Sequence, residues 1–140
     1  MFIIRPMAHW TLESNVADVL SLGPRTAGRL MRLGIRTVAQ LLAAKPQAVA
    51  GRLRDDRFTA EIVADWQREA QLLLEVPTLA GNVARLLAAA GYASAQRVAR
   101  ATPTELLAAL DQLATSPRPS VPEVNSWIQC AQQSLADRAA

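Results

Sequence analysis

The sequence predicts an all-α fold, and three observations carry that prediction. Leucine and alanine dominate while β-branched and aromatic residues are sparse, which favours helix over strand. Apolar residues recur at helical spacing, in Ile62, Val63, Trp66, Ala70 and Leu73 and again in Val83, Leu86, Leu87 and Ala90. Capping residues, prolines and glycines cut the pattern into short pieces, about nine or ten helices with no sheet. A chain of 140 residues, 51% hydrophobic and 19% charged, can build a core without staples.

Taken in order, residues 1–13 read as an irregular arm that holds His9, for which a surface place is expected. Val19-Leu20-Ser21-Leu22-Gly23-Pro24 is a tight turn leading into an amphipathic helix that begins Arg25-Thr26-Ala27. Gly34 and Gly91 each end an apolar helix and suit the left-handed position after it. Thr59 can cap a helix reaching about Glu75, with Pro77 beyond it. Thr102-Pro103-Thr104-Glu105 reads as a capping box, and Ser120-Val121-Pro122-Glu123 repeats that signature. Residues 114–119 form the clearest loop.

Composition narrows the function classes. The lone cysteine, Cys130, leaves no internal disulfide and no cysteine-rich zinc site, and is expected as a buried hydrophobe. One histidine removes most hydrolase triads and every multi-histidine metal site. No phosphate-binding loop or dinucleotide fingerprint occurs. The adjacent Asp55 and Asp56 are expected as solvated charge beside the arginines of 52–57. We therefore expect no catalytic residues, no metal, no cofactor and no small-molecule substrate. No stretch approaches the ~18 apolar residues of a membrane span, and a cytoplasmic protein is the default.

Charge is uneven. The net value is +3, and every basic residue except Lys45 is arginine. Residues 15–57 hold eight basic residues against three acidic ones, a local balance of +5, whereas residues 76–119 reach only +2. Such a field attracts anionic partners, although a solvated arginine face would look the same.

The chain also repeats itself. At one constant offset, Leu22 through Leu30 lies over Leu79 through Leu87, Gly34 over Gly91, Thr37 over Ser94 and Pro46 over Pro103. With a short insertion in the second copy, Trp66 meets Trp127 and Thr59 meets Ser120. We expect a first unit at 14–75 and a second at 76–140, paired pseudo-symmetrically around one core, with both tryptophans in it.

The turn at 19–24 and the helix after it resemble a helix-hairpin-helix element, in which a glycine-containing hairpin joins two helices. Gly34-Ile35-Arg36-Thr37-Val38 is similar to the stretch that follows many such hairpins. Over roughly residues 15–136 the chain resembles an uncharacterised bacterial family of duplicated helix-hairpin-helix domains. The resemblance implies tandem hairpins and, from the wider superfamily, non-sequence-specific contact with the DNA backbone. Glycine admits close backbone approach, and a helix start favours an anion. The implied nucleic-acid-binding residues are Leu22, Gly23, Pro24, Arg25, Thr26, Arg29, Arg32 and Arg36. Arg25, Arg29 and Arg32 are spaced to share one helix face.

Departures from the hairpin pattern are visible. Ser21 stands where a first glycine is usual, Thr78 and Ala80 replace both glycines in the second copy, and Asn82 replaces Arg25. The second hairpin reads as a packing corner. The first has two readings, a phosphate site or a corner. Function has two as well, a non-enzymatic DNA-binding module or a protein-interaction scaffold.

Overall fold

A computed structural model describes residues 10–20, 22–113 and 118–139. Among these it contains nine α-helices and no strand; one isolated bridge pairs Asn15 with Thr37. The helices are α1 (Val16–Val19), α2 (Pro24–Arg32), α3 (Val38–Ala43), α4 (Pro46–Leu53), α5 (Ala60–Glu75), α6 (Gly81–Ala89), α7 (Ala95–Arg100), α8 (Pro103–Asp111) and α9 (Val121–Ala139). The all-helical class is as the sequence predicts.

Local signals set most helix ends. Asn15 accepts from the Ala17 N–H at 2.8 Å and starts α1. Thr37 and Gln40 close a capping box on α3, as do Thr102 and Glu105 on α8. Thr59 caps α5 through the Ile62 N–H, and Ser120 exchanges bonds with Glu123 at the start of α9. Gly34 and Gly91 take φ 88° and 91°, the left-handed conformation that ends α2 and α6 at little steric cost.

The long helices α5 and α9 organise the packing. α5 lies against α3, α4 and α6, and α9 against α7 and α8. The core joins all of them, with Leu30, Leu41, Val63, Leu72, Leu73, Leu87, Leu106 and Leu110 almost fully buried. Burying a leucine side chain contributes about 1.5–3 kcal/mol, so these residues supply much of the driving force.

Three details depart from expectation. The buried stripe of α6 is Ala84, Leu87 and Ala88, while Val83, Leu86 and Ala90 are only half-buried. Small alanines let this face approach its neighbours, so the helix turns its bulkier residues aside. Trp66 is buried, but Trp127 is half-buried. Cys130 is likewise half-buried against the core rather than sealed inside it.

The expected arm is described only from Trp10. Trp10 packs against the core, the Ala39 N–H donates to the Leu12 carbonyl at 2.8 Å, and the Val38 N–H to the Ser14 carbonyl at 3.0 Å. This segment therefore serves the start of α3. His9, Ser21 and residues 114–117 of the expected loop lie outside the described residues.

Candidate nucleic-acid interface

The turn that leads into α2 faces outward. Gly23 takes φ 82° and ψ 158°, and no side chain caps α2. Gly23, Pro24 and Arg25 are exposed, while Leu22 and Thr26 are half-buried. Pro24 has no N–H, so the first donors of α2 belong to the next residues, at the positive end of the helix dipole. A Cβ added at Gly23 would meet nothing within 4 Å, so the turn is open on that side. Arg32 and Arg36 are also exposed.

Arg29 is placed differently from Arg25 and Arg32. Its guanidinium pairs with Asp55 at 3.0 Å, donates to the Leu53 carbonyl and lies 5.4 Å from the Phe58 ring centre. It ties α2 to the turn after α4. Of the eight residues implied by the resemblance, Arg29 is thus committed to a tertiary contact, whereas Arg25, Arg32 and Arg36 keep exposed side chains.

Asp55 corrects an expectation. It is not solvated charge beside Asp56 but the centre of a clamp, its side chain only 19% exposed. It accepts from the Arg57 side chain at 2.7 and 3.1 Å, from the Arg57 backbone N–H at 3.0 Å and from Arg29. The Arg57 hydrogen bonds, joined by Arg29, hold its carboxyl far below the ordinary carboxylate range. The same pairing raises the Arg57 pKa. Arg57 keeps an exposed side chain, with its guanidinium 5.5 Å from the Phe58 ring centre.

Beside the start of α2 lies a cleft of about 200 Å³. Leu22 and Thr26 form one side of it. Ile62, Trp66 and Glu69 line it at the spacing of one stripe of α5, and Phe58, just before that helix, lines it too. Arg85 of α6 and Arg57 complete the lining. The Phe58 and Trp66 ring centres are 5.5 Å apart and tilted by 57°. Glu69, only 2% exposed, is the one charged side chain among the buried described residues. Composition and motifs do not single out Arg57, Glu69 or Arg85. The stripe at 62, 66 and 69 of α5 is the available signal, because it places an acid on an otherwise apolar face.

The start of α6 has another character. Ala80 opens the helix at φ −68°, and the exposed Asn82 follows where α2 carries the exposed Arg25. Among the described residues, no group of three or more His, Cys, Asp or Glu side chains could hold a metal ion. No described helix is long and apolar enough to cross a membrane.

The family model described as Domain of unknown function (DUF4332) matches residues 20–134. No curated protein and no solved structure matches the chain.

Proposed function

Because the chain belongs to the DUF4332 family of domains of unknown function, we propose its role from its own site: a non-enzymatic module that binds the DNA backbone through the first hairpin. The observation that carries this reading is the outward, uncapped start of α2 at Gly23-Pro24-Arg25. Helix-start N–H groups, an open glycine turn and an exposed arginine together suit a phosphate. Arg32 and Arg36 extend the positive surface, and Arg29 contributes by fixing α2 against the clamp.

The same reading treats the chain as a tandem of helix-hairpin-helix units. The starts of α2, α3 and α4 recur at one constant interval as those of α6, α7 and α8. The left-handed glycines Gly34 and Gly91 keep that interval, and α9 follows α5 at a slightly longer one. These correspondences support a pseudo-symmetric pair whose halves have diverged in duty.

The test is fluorescence anisotropy of a labelled DNA duplex across a salt series. We expect binding that weakens steeply with salt and a clear loss in the Arg25→Glu variant. Absence of binding at low salt, or indifference to Arg25→Glu, removes the hairpin from the mechanism and leaves a protein-interaction module.

A further inference from the structure

The cleft beside the start of α2 gathers donors for an anion. Arg57 and Arg85 line it with exposed side chains, and Thr26 lines it half-buried. Asp55 engages Nε and Nη2 of Arg57 at 3.1 and 2.7 Å, which sets that guanidinium in place and leaves Nη1. Among the described residues Arg85 has no ion pair and the Thr26 hydroxyl no hydrogen bond. Glu69 lines the cleft as well, but it is 2% exposed and already partnered, and no buried side-chain nitrogen or oxygen among the described residues is unsatisfied. The groups left to meet an occupant are therefore the donors.

Charge and surroundings agree with this. Arg29 and Arg57 share the single carboxylate of Asp55, so one positive charge is left over at the surface of the cleft, and the exposed Arg85 adds another. Leu22, Phe58, Ile62 and Trp66 supply an apolar lining, which strengthens a charge contact made beside it. That lining is not a platform for a base. The Phe58 ring lies near the guanidiniums of Arg29 and Arg57, and Trp66 is buried. The volume of about 200 Å³ is below the ~300–1,000 Å³ of pockets for drug-sized ligands. It suits a small anionic group.

The donors also select the kind of anion. An internal DNA phosphate shows two non-bridging oxygens and a single negative charge. A phosphate monoester at a strand end shows three such oxygens and ~1.5–2 negative charges near neutral pH. Three donor groups and two surplus positive charges match the strand end. We propose that the cleft seats the terminal phosphate of a DNA strand between Arg57 and Arg85, with the Thr26 hydroxyl on the third oxygen. This rests on the backbone-binding reading, because Leu22 and Thr26 lie on either side of Gly23-Pro24-Arg25 and set the cleft beside that strand path.

The experiment compares short labelled duplexes whose ends carry hydroxyls only, 5′-phosphates or 3′-phosphates, measured by anisotropy at one salt concentration. The better of the two phosphorylated duplexes should bind at least about tenfold tighter than the hydroxyl duplex, by the worth of one charge-assisted hydrogen bond. Arg57→Ala would also undo the Asp55 clamp, so Arg85 is the position to change. Arg85→Ala, at an exposed position that spares the fold, should remove most of the preference for a phosphorylated end. Thr26→Val, which deletes only the hydroxyl, should shrink it less. Circular dichroism confirms that each variant keeps its helix content. Equal binding of all three duplexes overturns the end site and leaves backbone binding standing. Retention of the full preference in Arg85→Ala overturns it as well. Thymidine 5′-monophosphate binding as tightly as the phosphorylated duplex would assign the cleft to a free phosphate monoester and overturn the DNA end. Failure of every duplex to bind overturns both readings.

Discussion

Gly23 opens α2 at φ 82°, whereas Ala80 opens α6 at φ −68°. The helices that follow are of equal length, and each ends in a left-handed glycine. Their surroundings differ. In the first region the N–H of Val38, which starts α3, finds the backbone carbonyl of Ser14 at 3.0 Å. In the second the N–H of Ala95, which starts α7, finds the side chain of Glu75 at 3.0 Å. One helix start is thus secured by a neutral carbonyl and the other by a carboxylate. The comparison teaches that similar local geometry can be held by different chemistry, which frees the exposed residues to diverge. Arginine gathers on α2 and a neutral asparagine sits at the start of α6.

The largest expected effect concerns binding. Arg25→Glu with Arg32→Glu should weaken duplex DNA binding strongly and lower the log–log salt slope by about one unit for each phosphate no longer engaged. Arg97→Glu with Arg100→Glu should do much less. Equal reductions in a titration would mean diffuse electrostatics and would break the contrast between the regions.

In stability the two regions should behave alike at matched core positions. Leu30→Ala and Leu87→Ala each remove a fully buried side chain and should cost about 2–5 kcal/mol in urea unfolding. A large disparity would show that the regions around α2 and α6 do not share the core evenly.

Glycine substitutions sharpen the difference at the turns. At Gly23, Gly34 and Gly91 a Cβ meets no atom within 4 Å, so the penalty is conformational rather than steric contact. Replacing Gly34 or Gly91 by alanine should cost about 1–2 kcal/mol, and Gly23, at a φ and ψ that essentially only glycine adopts, about 1–3 kcal/mol, whereas Ala80→Gly should cost far less. A Gly23→Ala variant as stable as the parent would show that the first turn does not need its positive φ.

The smallest effect is a pH dependence confined to the first region. Asp55 has a depressed folded-state pKa, so its contribution holds above the ordinary aspartate value of about 3.9 and fades as the pH falls below it. Asp55→Asn should lower the melting temperature by a few degrees at neutral pH, and the gap should narrow in acid. The residue after α8, Gln112, carries no charge and can supply no such clamp. A gap that stays constant into acid would assign the effect to packing rather than charge.

Signals acting over three or four residues are legible in the sequence. Thr59, Thr102 and Ser120 cap where they should, and both Gly34 and Gly91 close their helices, because caps and partners are near neighbours in the chain. Contacts made across the fold are not legible. Asp55 meets Arg29 from a distant part of the chain, and composition alone does not say which of Asp55 and Asp56 takes the hydrogen bonds of Arg57. Glu69 reads as one more acid in an acidic stretch until α5 turns its stripe toward the cleft. The alanines of α6 hide its buried face, since small residues weaken the apolar pattern. Charge counting finds the exposed hairpin arginines, but which of them is already engaged depends on the turn after α4.

The last turn of α5 is gripped from several directions. Glu75 accepts from the Gln71 side chain at 3.0 Å as well as from the start of α7, and Arg138 near the end of α9 donates to the carbonyls of Leu74 and Glu75. Val76, which follows, is fully buried. A junction held in this way should act as a latch on cooperativity. Opening of α9 is expected to release the end of α5, so the regions on either side of it should unfold together. Amide exchange at the close of α5 should then track global unfolding, despite its place between the two regions.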